Sequence, residues 1–170
     1  MVNSLEDHEN PTSLSADDEA VTLRSALALA ADSQPIVFDR SLDGGTIELS
    51  IVGEEHTTLK GEVMGMKVEP SGPVSYLVGY FERDYGRSAL YARKNVVIDA
   101  SDLPSGITLA WTGGEHNPAR VLAVYGDLTM INVSVTGGWS VAEALPENPD
   151  AEYEQLSTRA RGGGMAVWGT

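Results

Sequence analysis

The chain has no cysteine among its 170 residues. Disulfides, thiolate zinc sites and cysteine nucleophiles are therefore excluded. Cations are scarce: 11 Lys and Arg stand against 25 Asp and Glu, a formal charge of −14. The basic residues are scattered and form no stripe, so a polyanion would be repelled, which argues against nucleic acid and against anionic membrane surfaces. No apolar run approaches the ~18 residues of a membrane span. The opening Met1-Val-Asn-Ser-Leu-Glu-Asp-His8 has neither the basic nor the apolar region of a signal peptide. It reads as a cytoplasmic start or as the start of a segment of a longer exported chain.

What is present is globular in composition, with 42% hydrophobic and 21% charged residues. Eighteen glycines, many beside β-branched runs, favour a turn-rich β protein over a helical one. Two near-copies stand out: Val121-Leu-Ala-Val-Tyr-Gly-Asp127 and Gly164-Met-Ala-Val-Trp-Gly-Thr170, which begin 43 residues apart. A strand-like phrase that recurs after a long interval is the mark of repeated units that bury their apolar faces by stacking.

Residues 1–20 read as a leading strand near Val2–Leu5 followed by a polar, acidic loop. Residues 21–31 hold the one convincing helix, with Leu23, Ala26, Leu27 and Ala30 on one face. Asp32, Ser33 and Pro35 stop it. Short strands are expected at 36–38, 46–52, 95–100, 107–111, 120–125 and 128–136. Two segments break the pattern: an irregular insertion at 53–94 with one or two strands, and a polar insertion at 139–161. In the run Leu128–Thr136 the apolar alternation slips by one residue between Met130 and Ile131. A flat strand would turn its second half to the wrong face, whereas a corner there keeps both halves inward.

In order, Thr22-Leu-Arg-Ser-Ala-Leu27, Ile36-Val-Phe-Asp39, Gly45-Thr-Ile-Glu-Leu49, Val96-Val-Ile-Asp99 and Leu128–Gly138 resemble a bacterial family. These are the exported right-handed parallel β-helix proteins with a CSLREA-type entry segment, akin to polymorphic outer membrane proteins. Ser25 stands where the family motif has Glu, and 53–94 is longer than the usual link. The resemblance implies an all-β, right-handed parallel β-helix (a solenoid), with the helix at 21–31 capping its N-terminal end. It also implies coils across 21–170 interrupted by the two insertions, further coils downstream, and a place outside the cell or on its surface.

For chemistry, the three histidines His8, His56 and His116 lie in polar, loop-like stretches, and no Gly-x-Ser-x-Gly elbow accompanies them. No glycine pattern of a nucleotide site follows a strand. Parallel β-helices that act on polysaccharides use carboxylates that hold calcium with an Arg or Lys base, or paired carboxylates. The nearest candidates are Glu82-Arg-Asp-Tyr-Gly-Arg87 and Asp99-Ala-Ser-Asp102; the second reads better as a strand end with its turn cap. Arg83, Asp84, Tyr85 and Arg87, together with Trp139, form the candidate glycan-binding set. Trp111 and Trp168 read as packing residues, and Asn132-Val-Ser134 is a glycosylation triplet inside a strand. No catalytic residue is assigned and no cofactor is expected, with calcium the one ion this chemistry would admit. The reading is a non-catalytic structural or adhesive module of a larger secreted or cell-surface protein, its partner an extracellular glycan or a surface protein. The alternatives are a polysaccharide lyase or glycoside hydrolase of the same fold, and a β-sandwich binding domain.

Overall fold

The structure, a computed structural model, describes residues 1–8, 20–53, 58–84, 86–139 and 164–167, with backbone alone for 58–64 and 77–84. The described residues are mostly β with one short α-helix. Helix α1 spans Leu23–Leu29 and is followed by β1 (Pro35–Val37) and β2 (Thr46–Leu49). Two long strands come next, β3 (Thr58–Glu69) and β4 (Gly72–Asp84). Then follow β5 (Ser88–Ala92), β6 (Val96–Asp99), β7 (Ile107–Trp111), β8 (Arg120–Val124), β9 (Leu128–Ile131), β10 (Val133–Thr136) and β11 (Met165–Val167).

Nine of these strands form three parallel sheets, ordered β1-β6-β9, β10-β7-β2 and β11-β8-β5. The chain visits the three sheets in rotation. Alternation along each strand decides what faces inward. Ile47 and Leu49 are buried on β2 while Thr46 and Glu48 are exposed. Like residues then stack across the ladder: Ile36 on Ile98 on Met130, and Ile47 on Leu109 on Val135. All five residues of β8 are buried, which is why that run is continuously apolar after Arg120 instead of alternating. The near-copies noticed in the sequence are ladder partners: Met165, Ala166 and Val167 pair with Leu122, Ala123 and Val124.

The expected right-handed parallel β-helix does not hold. The described residues form four separate sheets of only two or three strands each, one of them antiparallel, and no solenoid is shown. The expectation treated nearly every alternating phrase as one more turn of a single stack. Each parallel sheet holds only three strands, and the long insertion follows a different pairing rule. Within 53–94, β3 and β4 fold back on each other as an antiparallel ribbon that joins none of the parallel sheets. Only β5 from that insertion enters one of them. The 139–161 insertion lies outside the described residues from 140 onward. The leading strand is reduced to a single parallel bridge, Val2 to Phe38.

Helix α1 forms where the sequence places it. Thr22 caps it, its hydroxyl oxygen accepting the N–H of Ser25 at 3.1 Å. Lys94 donates to the carbonyl of Ala30 beyond its C-terminal end, where a cation suits the helix dipole. The helix buries Leu23 and Leu27 and packs against β1 and β5. The corner expected near residue 131 is present one residue later. Met130 faces inward, Ile131 outward, and Asn132 (φ +55°) carries the chain from β9 in one sheet to β10 in another. Behind it sits Gly106 (φ +74°), where an added Cβ would lie 2.6 Å from the Asn132 carbonyl oxygen. Glycine is required there both for its conformation and for that close approach.

Candidate functional site

Two polar assemblies stand out: one is a clamp inside the fold, the other a partly open corner.

The clamp was not foreseen. Asp7, in the N-terminal segment, and Arg24, on α1, are 2% and 4% exposed. Arg24 donates from Nε and Nη2 to the two carboxylate oxygens of Asp7, at 2.6 and 3.0 Å. The same carboxylate accepts the backbone N–H groups of Ser50 and Ile51 at 2.9 and 3.0 Å. The guanidinium also donates to the carbonyls of Ala89 (2.6 Å) and Ile51 (2.8 Å). A buried ion pair is tolerated when its remaining lone pairs and protons are satisfied in this way. Four chain segments are thereby tied at one point: the N-terminal segment, α1, the end of β2 and β5. The available signal was an arginine set among the apolar residues of a helix. Nothing in the sequence marked Asp7, among several acids, as its partner.

The corner lies where β5 and β8 begin. Their first residues, Ser88 and Arg120, are ladder partners, and the Arg120 N–H donates to the Arg87 carbonyl at 2.9 Å. Arg120 is almost fully buried, and its Nη1 donates to the Gly86 carbonyl at 3.2 Å. Arg87 Nη1 donates to Asn117 Oδ1 at 2.5 Å. Asn117 belongs to the 112–119 loop, which is fastened to the core by the Trp111 indole N–H donating to the Asn117 carbonyl at 2.8 Å. The Trp139 N–H donates to the Ala119 carbonyl at 2.9 Å, and Trp139 stays 46% exposed.

The structure thus brings Arg87 and Trp139 to one corner through residues 117–120, although 52 positions separate them. Arg83 and Asp84 end β4, with Asp84 in register with Thr58 at the root of the ribbon, just upstream of that corner. Their side chains, and Tyr85 altogether, lie outside the described part. Trp111 is buried, as a packing residue should be, and Trp168 falls outside the described residues. Arg120 and Asn117 belong to this corner and were missed by sequence reading. An arginine opening a buried strand was the signal for the first; the second had none.

The remaining candidates read as structural. Asp99 Oδ1 accepts the Ser101 N–H at 2.9 Å. Its carboxyl is held below the usual aspartate value first by the Ser101 hydroxyl and then by that N–H. Asp39 is lowered by the backbone and then the hydroxyl of Ser41, and Asp32 first by the Asn95 N–H. Asp39 and Asp99 are turn caps, in which a carboxylate takes the N–H two residues on, whereas Asp32 holds the distant Asn95 through its N–H at 2.8 Å. His8 pairs with Glu6 at the surface at 2.7 Å, His116 ends an exposed 3-10 turn, and His56 is outside the described residues. Among the described residues no three His, Asp or Glu side chains gather as metal ligands, and no helix is long and apolar enough to cross a membrane. Searches of family models, curated proteins and solved structures each returned no match for this chain.

Proposed function

We propose that the protein is a non-catalytic structural or adhesive module of a larger secreted or cell-surface bacterial protein. Its ligand is an extracellular glycan or a surface protein bound at the corner beside the ribbon root. The observation that carries this reading is Trp139. It is half-exposed, and its backbone N–H donates to the carbonyl of Ala119, two residues after the Asn117 whose side chain accepts from Arg87. A half-exposed aromatic ring in the same corner as polar side chains suits a site that stacks on a sugar ring and bonds its hydroxyls. The ordered phrases that resemble the CSLREA-type exported proteins support the extracellular placement.

The test is a binding screen on immobilised bacterial and host glycans, run with the whole chain and with Trp139→Ala. Retention on a glycan surface that falls about tenfold or more in the variant, with unchanged thermal stability, supports the reading. The same preparations are assayed for glycan depolymerisation with and without calcium. Turnover that Asp84→Ala abolishes would replace this reading with that of a polysaccharide lyase or hydrolase.

A further inference from the structure

Among the described residues, the ribbon formed by β3 and β4 is the long element that stands apart from the parallel sheets. The two strands make extensive contacts only with each other. At about 3.4 Å per residue, twelve residues extend roughly 40 Å. The register places Met66 opposite Ser75 and Val68 opposite Pro73 on one face of the outer half. That face carries no charge, and Met66 and Val68 are 72% and 80% exposed. The opposite face bears Val74 and Tyr76 together with the Lys67–Glu69 ion pair at 3.4 Å. An isolated two-stranded ribbon is marginal in water, and an exposed apolar face on it gains by being covered.

We infer that this uncharged face packs against the same face of a second copy of the chain, in an antiparallel two-fold dimer joined ribbon to ribbon. Charge favours this occupant. Along 58–84, Lys60, Lys67 and Arg83 oppose Glu62, Glu69, Glu82 and Asp84, so the ribbon carries only −1 of the chain's −14. Two copies meeting through their bodies would bring −13 against −13. Two ribbons that overlap antiparallel through their outer halves place the bodies at opposite ends of a strut longer than the roughly 40 Å of one ribbon. That separation is several Debye lengths at physiological salt, about 8 Å each, so the bodies scarcely repel. An isologous contact also uses one patch twice, and a single uncharged face suffices for it. Lipid is the poorer occupant, because the strand edges of an open ribbon would be left unpaired in hydrocarbon.

Sedimentation equilibrium of the whole chain over a concentration series tests this. The wild type should rise from 18.1 kDa toward twice that mass. Met66→Glu and Val68→Glu should each weaken association about tenfold or more. Tyr76→Glu, on the opposite face of the same ribbon, and Val37→Glu, on the body, should leave it within about twofold. The dimer should also change little between low and high salt. A wild type that stays monomeric at every concentration overturns the inference. So does a Val68→Glu dimer as tight as the wild type, equal loss in Tyr76→Glu, or a dimer that forms only at high salt. Flotation of the monomer with zwitterionic vesicles, without self-association, would give the ribbon to lipid instead. None of these outcomes bears on glycan retention through Trp139, so the two proposals fail separately.

Discussion

Replacing Arg24 by methionine should be among the most damaging single changes in this protein. Methionine matches the length of the aliphatic stem and keeps helix propensity, so α1 itself loses little. What disappears is the guanidinium and its four hydrogen bonds, to both oxygens of Asp7 and to the carbonyls of Ala89 and Ile51. Asp7 is left buried without its cation, holding only the N–H groups of Ser50 and Ile51. Removing one partner of a buried ion pair costs about 3–5 kcal/mol. For a chain of this size each kcal/mol is about 2–4 °C in melting temperature, so the midpoint should fall by about 10 °C. Urea melts followed by circular dichroism give the loss directly, with the slope unchanged if both states keep their compactness. Hydrogen exchange should show where it acts. The Asp39 N–H, which donates to the Val2 carbonyl at 2.7 Å, should lose protection as the N-terminal segment detaches. Asp7→Asn and the double variant complete a cycle, and the coupling should exceed the ~0.5 kcal/mol scatter of independent sites. A loss below about 1 kcal/mol, or additive single changes, would show that the clamp does not hold the four segments together.

Two further outcomes follow from the turns. Asn132→Ala should cost about 2 kcal/mol, since alanine disfavours the left-handed backbone and loses the bond from Nδ2 to the Leu103 carbonyl at 2.6 Å. Asn132→Gly should cost about half as much, because it keeps the conformation and loses only the bond; equal melting temperatures for the two would contradict this. The second concerns acid. Asp32, Asp39 and Asp99 have folded values below the ordinary 3.8. Their contribution is therefore fully present above that value and is lost as pH falls through the lower folded values. Stability measured by urea melts should decline below about pH 4, and Asp99→Asn should flatten that decline; an unchanged acid slope would refute the assignment.

Much of the local structure was legible in the chain. Alternation at Thr46–Leu49, Val96–Asp99 and Ile107–Trp111 marks strands because a period of two sorts side chains to opposite faces wherever one face is buried. The 3, 4 and 7 spacing around Leu23 marks a helix for the parallel reason. The slip after Met130 marks a corner, since a continuous strand would have exposed Val133 and Val135. The near-copies 43 residues apart even carry their own pairing register. The candidate site was legible only as separate residues: Arg87 and Trp139 could be chosen for their chemistry, but not placed together.

Sequence alone therefore determined the helix, the short strands of the parallel sheets and their inward faces, because those depend on neighbours a few positions away. Tertiary structure decided the rest. The run 58–84 became a ribbon outside the parallel sheets because Pro70-Ser71-Gly72 lets the chain reverse and pair with itself, and loop composition could not distinguish that from an irregular excursion. Asp7 found Arg24, and Trp139 was fastened to Ala119, through contacts spanning 17 and 20 positions. Such contacts depend on how whole elements pack, which no local pattern of residues encodes.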